Sequence, residues 1–233
     1  MKERGRVSSL TFDKMGKYFI IEGDEGSGKT TQVELLRERM VGLGHKVEIV
    51  REPGGDPFGE LLRLVLKSDP SDTAYVELRD RFLGGADAPL SGQAESFAFF
   101  AARINSRVQV VYPKLVDGID ILSDRGELST LVYQGEAGSV DRRFLDFNCD
   151  YIARLMPPTL TVVLDVTLAV SQQRQDARGL PADRFESRGE LYRRRVNEGY
   201  RRVALEKGLP LVDGEGSPEE VHELIWEKVQ PWL

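Results

Sequence analysis

The chain has 233 residues, 40% apolar and 30% charged, a composition that suits one soluble globular domain and is short for two. Lys and Arg number 32 against 38 Asp and Glu, a net charge of −6, so there is no basic excess to grip a nucleic-acid polymer. The one cysteine, Cys149, excludes an internal disulfide, no Cys/His spacing suggests zinc, and no run reaches the ~18 apolar residues of a membrane span.

The opening MKERGRVSSLTFDKMG is charged and lacks the apolar core of a signal peptide, so residues 1–16 read as a flexible extension and a reducing cytoplasm is the expected location. Lys17–Glu22 (KYFIIE) then reads as a strand covered on both faces. Directly after it, Gly23–Thr30 (GDEGSGKT) matches GxxxxGK[ST] in full, between a strand and a helix as the motif requires. Its glycines let the backbone wrap polyphosphate, so N–H groups along Gly23, Gly26, Ser27, Gly28 and Thr31 are expected to face the phosphates at a helix N-terminus. Lys29 is expected to reach the β- and γ-phosphates and the Thr30 hydroxyl to ligate Mg2+, which predicts a site for ATP. Two acids in the loop, Asp24 and Glu25, have the wrong sign for that task. Asp24 is expected to face solvent.

Val33, Leu36, Met40 and Leu43 recur at helical spacing until Gly44. Lys46–Arg51 (KVEIVR) is the second expected strand, and REPGG (Arg51–Gly55) follows it. Ser68–Gly92 is the least regular stretch and reads as a surface excursion: Tyr75, Leu78 and Phe82 suit one face of a short helix, and GGADAPLSG a loop. Gln93–Val116, rich in alanine and phenylalanine, predicts a long helix. Ile119–Ser123, Leu160–Val166 and Leu209–Val212 are three more strands. Between the last two, Gln172–Gly189 (QQRQDARGLPADRFESRG) is basic and irregular, which suits a mobile lid that closes over nucleotide and expels water. The last helix opens at SPEE, with Ser217 as N-cap, Pro218 in the first turn and Glu220 completing a capping box. The alternation predicts a single α/β domain over 17–233: a P-loop NTPase-type, five-stranded, mostly parallel sheet with helices on both faces.

The P-loop with an acid at its third position and a trailing TTQ, then REPGG, a helix ending FxxxR (Phe99 to Arg103), DRxxxSTxxYQG (Asp124–Gly135) and DRFE (Asp183–Glu186) occur in this order. Together they resemble the thymidylate kinases, from about Lys17 to the C-terminus. The resemblance implies transfer of the γ-phosphoryl group of ATP to dTMP by a homodimer. It implies that Glu25 turns away from the polyphosphate and accepts from the 3′-hydroxyl of the acceptor sugar. Arg51, Arg63 and Arg125 match the clamp on the dTMP phosphate, a task for planar, forked guanidinium groups. Phe99 would stack on thymine, with Arg103 one turn on donating to the base carbonyl. Asn105, Ser129, Thr130 and Gln134 are expected polar contacts to base or sugar, and the Tyr133 ring would crowd the 2′ position. Asp124 would hold Mg2+ through water. The family divides by whether the catalytic arginine stands in the P-loop or in the lid. Here the loop position is Gly26, so Arg174, Arg178 and Arg184 of the lid are the expected source, Arg178 first at the transferring group and Arg184 on ATP. The acceptor phosphate is already anionic near neutrality, so no general base is needed.

Three features depart from the family pattern: the long excursion, EAGSV after YQG where a glycine–arginine–glycine turn is usual, and Thr167-Leu168 after LDV where Pro-Glu is usual. They leave open a kinase for another nucleoside monophosphate, such as dUMP. A non-catalytic nucleotide sensor would need neither clamp nor lid, and a GTPase would carry an NKxD motif that is absent here.

Overall fold

The computed structural model describes residues 15–68, 72–85, 90–179, 184–185 and 188–233. Five strands form close to the expected runs: β1 (Tyr18–Gly23), β2 (Val47–Arg51), β3 (Asp120–Asp124), β4 (Leu160–Asp165) and β5 (Leu211–Asp213). The helices are α1 (Lys29–Gly42), α2 (Pro57–Lys67), α3 (Thr73–Leu83), α4 (Gly92–Ser106), α5 (Tyr112–Val116), α6 (Glu127–Thr130), α7 (Arg142–Leu155), α8 (Leu168–Arg178), α9 (Glu190–Glu206) and α10 (Pro218–Val229). Every strand pairing is parallel, in the order β2-β3-β1-β4-β5.

Strand β1 shows how the sequence covers both faces. Phe19 and Ile21 point into a core with Val33, Leu36 and Met40 of α1 and Ile225 and Val229 of α10. Tyr18 and Ile20 point the opposite way, toward Val111 and Leu115. Side chains buried this completely contribute roughly 1.5–3 kcal/mol each, so the apolar run favours a central strand. α4 and α5 form one helical path, joined by a π-helical turn over Arg107–Val111, in place of the single long helix expected over Gln93–Val116. The capping box at Ser217 and Glu220 is formed.

Four expectations need correction or restriction. Leu43 is the C-cap of α1 and lies exposed, because the helix ends at Gly42 before its next turn can reach the core. Gln172–Arg178 is the end of α8, capped by Thr167 and stopped by Gly179 in the left-handed region, so this part of the expected irregular lid is helical. Residues 180–183 and 186–187 lie outside the described residues. In the excursion, Asp72 caps α3; Tyr75 and Leu78 are half-buried, whereas Phe82 faces outward. Residues 1–14 also lie outside, but Gly16 N donates to the Leu115 carbonyl at 2.8 Å, so the end of the expected extension is anchored. Among the described residues no helix is long and apolar enough to cross a membrane.

Candidate active site

The carboxyl ends of β1, β2 and β3 bring Gly23, Arg51 and Asp124 together, where open parallel sheets bind ligands. Gly23 has φ 149°, and a Cβ there would lie 2.7 Å from Ser27 Oγ. Gly26 has φ 76°, and its Cβ would stand 2.5 Å from the Ser171 carbonyl of α8. No side chain fits at that position without moving α8. Lys29 is buried and donates to the Asp24 carbonyl at 2.7 Å. Thr30 Oγ1 donates to Asp124 Oδ2 at 2.8 Å. Ser27 Oγ is buried without a hydrogen-bond partner, beside a cavity of about 180 Å3 lined by Gly28, Thr31, Arg174, Gly214 and Gly216. The loop thus offers an oxygen pair on one side and an unsatisfied hydroxyl on the other.

Three acids at the end of β1 serve three different elements. Glu22 is fully buried: Oε1 accepts from Gly126 N at 2.7 Å and Ser129 N at 3.0 Å, and Oε2 from Ser129 Oγ at 2.7 Å. Burial pushes its pKa up, against the Arg125 guanidinium and these hydrogen bonds. Asp24 does not face solvent as expected. It is buried and accepts from Asn197 Nδ2 at 3.0 Å and Ser171 Oγ at 3.3 Å, because α8 and α9 close over the loop. Glu25 turns out of the loop, 2.5 Å from Arg125 Nη2 and 3.5 Å from Arg178 Nη1. Burial alone would raise its pKa, but Arg125 and Lys29, with Lys67 and Arg178, hold it well below the usual carboxylate range.

Arg125 is the hub. Its φ of 81° is rare outside glycine, and the backbone is held there by its N–H on the Ile21 carbonyl at 3.0 Å and by Ser123 Oγ on its carbonyl at 2.8 Å. Nη1 donates to Tyr200 Oη at 2.8 Å and Ser129 Oγ at 3.1 Å. Arg125 stands between two cavities. The first, about 310 Å3, is bordered by five cations, Lys29, Arg51, Arg63, Lys67 and Arg125, against four carboxylates, Glu25, Glu34, Glu52 and Asp124, with Thr30 beside them. Arg51 Nη2 meets both oxygens of Glu60 at 3.0 Å, and Arg63 Nη1 donates to the Pro53 carbonyl at 3.0 Å. Such a cavity suits a phosphate.

The second is a narrow slot lined by Phe99, Arg103, Ser129, Thr130, Tyr133, Gln134 and Phe185, with Glu52, Lys67 and Arg125 shared with the first. Phe100 is core and Phe97 packs edge-on against Phe144 at 5.1 Å, which leaves Phe99 as the slot's phenylalanine on α4. Arg103 is fixed by Glu52, by Thr130 Oγ1 at 3.0 Å and by the Gly126 carbonyl at 2.7 Å. Gln134 Nε2 is buried with no partner, a donor that a ligand carbonyl would satisfy. Asn105 is not brought to the slot. Its amide donates to Asp56 at 2.7 Å, where Asp56 also caps α2.

The expected lid arginines divide. Arg174 lines the Ser27 cavity and donates to the Gly214 carbonyl at 2.8 Å. Arg178 reaches across to Glu25. Arg184 lines neither cavity beside the phosphate loop; its guanidinium is 3.5 Å from Glu95 on α4. Residues that the motifs did not single out are Glu22, Glu52, Lys67, Glu95, Phe185 and Tyr200. Lys67 had a signal, four residues after Arg63 on one helix face. Tyr200 had none nearby, since it meets Arg125 across 75 residues.

Residues 21–225 match the family model described as Thymidylate kinase. The chain is similar to a thymidylate kinase of Afipia carboxidovorans, 36% identical over 219 residues that cover 92% of this chain and 89% of that protein. It is also similar to those of Synechococcus sp. (35%, covering 90% and 93%) and Geobacter sp. (33%, covering 93% and 92%).

Proposed function

The chain belongs to the thymidylate kinase family, and we propose that it passes the γ-phosphoryl group of ATP to dTMP by direct in-line transfer across the cavity beneath Arg125. One observation supports the arrangement above others: a buried polar group stands unsatisfied on each side of that arginine, Ser27 Oγ at the phosphate loop and Gln134 Nε2 in the aromatic slot. A ligand in each cavity would complete them. In this reading ATP lies along the loop, with Arg174 at its far side, and dTMP places its phosphate among Arg51, Arg63 and Arg125 and its base beside Phe99 and Arg103. Glu25 accepts from a sugar hydroxyl.

Two anions must approach in line, so the chemistry is one of positioning and charge. Lys29 and Arg125 line the cavity where charge would spread in the transition state, and Arg178 reaches its edge through Glu25. Thr30 and Asp124 present neighbouring oxygens that suit a hard cation keeping most of its waters, and Mg2+ held there would neutralise phosphate charge. Gly26, tight against Ser171, supports drawing the catalytic guanidinium from α8 and the residues after it. Phe147, Tyr151 and Leu155 form an exposed apolar row on α7, which supports a homodimer, and a cytoplasmic location fits a nucleotide-consuming enzyme. A panel of dTMP, dUMP, dCMP, UMP and AMP with MgATP tests the acceptor, the expected order having dTMP first. Preference for UMP or AMP would overturn the assignment of Phe99 and Tyr133. Light scattering tests the dimer.

A further inference from the structure

We propose that Phe185 is a specificity-determining wall of the base slot, and that the buried carboxylate of Glu95 is the positioning residue that holds it there. The inference rests on the reading that the slot beside Phe99 takes the acceptor base. Phe185 is only 4% exposed. Its ring centroid lies 5.9 Å from Phe99 and 5.7 Å from Tyr133, so three aromatic rings from three separate parts of the chain enclose the slot. It also borders the neighbouring cavity lined by Asp24, Glu25, Leu168 and Gln175, so the rings of Phe185 and Tyr133 together separate the slot from α8.

What fixes that ring is not apolar packing alone. Glu95 stands in the first turn of α4 and is 1% exposed. Its Oε1 lies 2.5 Å from Arg188 Nη2 and 3.5 Å from Arg184 Nη2, residues on either side of Phe185 in the chain. The Arg188 guanidinium in turn lies 4.6 Å over the Phe185 ring. A carboxylate this deeply buried is strongly disfavoured without cationic partners, so it holds both arginines. Glu95, Phe99 and Arg103 are spaced i, i+4, i+8 on one face of α4. The helix face that would read the base therefore also anchors the chain that leaves α8, whose arginines border the phosphate loop.

The geometry makes base size a condition for that anchorage. On this proposal a pyrimidine enters beside Phe99 with Phe185 still forming the wall. A purine, one ring larger, meets Phe185 and is admitted only by parting Arg184 and Arg188 from Glu95.

Steady-state kinetics of the full chain with MgATP test this, using Phe185→Ala, Glu95→Gln and their double variant. Each single variant is expected to raise the KM for dTMP about tenfold, as loss of a base–aromatic contact does, and to leave the KM for ATP within about twofold. The dTMP-to-AMP ratio of kcat/KM is expected to fall in both, and the double variant to be no worse than the worse single one, because both remove one contact. Phe185→Leu is expected to restore most of the dTMP affinity. Independent, multiplying effects, or a KM change confined to ATP, would overturn the proposal. Phe99→Ala, measured alongside, separates two failures. If Phe99→Ala leaves dTMP binding unchanged, the slot is not the base site. If it weakens binding while Phe185→Ala does not, the slot stands and Phe185 is not its wall. Should Glu95→Gln fail to fold, Phe185→Ala decides alone.

Discussion

Replacing Lys29 by methionine separates what the ammonium does for the reaction from what it does for the fold. The side chain is 5% exposed and donates to the Asp24 carbonyl at 2.7 Å. Burial first, and then the Arg125 guanidinium, push its pKa below the ordinary lysine value against the pull of Glu25, Asp124 and Asp24. A lysine whose folded pKa lies below its unfolded one binds fewer protons when folded, so stability rises as pH rises through the folded value, and the charged form carries a cost in the fold. Methionine keeps the stem and removes that cost. The ligand-free variant is therefore expected to melt within about 4 °C of the wild type or above it, about 1 kcal/mol for a chain of this size. For the reaction, a positioned donor to developing charge is worth roughly 3–4 kcal/mol, so kcat in a coupled ADP-release assay at saturating MgATP and dTMP is expected to fall at least ~100-fold. A kcat within about threefold of the wild type would refute the role at the transferring phosphate. Melting more than about 10 °C early would instead show that the Asp24 contact carries the loop.

Other perturbations read the neighbouring groups. Glu22→Ala leaves two backbone N–H groups without an acceptor in a dry interior and removes one partner of the Ser129 hydroxyl, and is expected to cost roughly 3–5 kcal/mol in urea denaturation, with Glu22→Gln under about 2 because its amide oxygen still accepts. Equal losses in the two variants would count against the hydrogen-bond account. Thr30→Val is expected to raise the Mg2+ concentration for half-maximal rate about tenfold while leaving the melting temperature within ~4 °C, and an unchanged Mg2+ titration would remove Thr30 from the metal site. Glu25 has a folded pKa below its unfolded value, so it contributes stability that is fully present above about pH 4.3 and lost as pH falls through the folded value. Glu25→Gln is expected to melt lower at pH 7 and to show a shallower decline on the acid side; parallel curves for the two proteins would contradict that pairing.

The sheet and the phosphate loop were legible because each depends on short stretches. A strand such as YFIIEG buries both faces within six residues, and the loop needs glycines whose backbone angles are local requirements. α8 was harder to see. Among its residues only Ser171 is fully buried, so LAVSQQRQDAR shows no apolar period and its basic half reads as irregular. Asp24 was misjudged for a related reason: the partners that bury it, Ser171 and Asn197, lie 147 and 173 residues away. Asn105 kept the polarity expected of a base contact, but its partner, Asp56, is an N-cap of another helix. Burial of a polar residue by distant chain leaves no mark on its own neighbourhood in sequence.

The cleft at the carboxyl ends of the strands gathers guanidinium groups, most of them paired with a carboxylate, and the depth of each pair decides which arginine can move. Arg51 and Glu60 are 56% and 44% exposed, so their pair is worth ~0–1 kcal/mol and yields readily to a phosphate. Arg178 holds Glu25 only at 3.5 Å, from a half-exposed position. Arg103 and Glu52 are both 3% exposed, and separating them would strand a buried charge at about 3–5 kcal/mol. Arg125 is tied at once to Glu25, Tyr200 and Ser129. On the proposed reading, then, an arriving nucleotide finds Arg103 and Arg125 fixed and recruits Arg51 and Arg178. As Arg178 leaves, Glu25 gains a free oxygen for a sugar hydroxyl, and the released guanidinium stands in the last turn of α8, one residue before the left-handed Gly179.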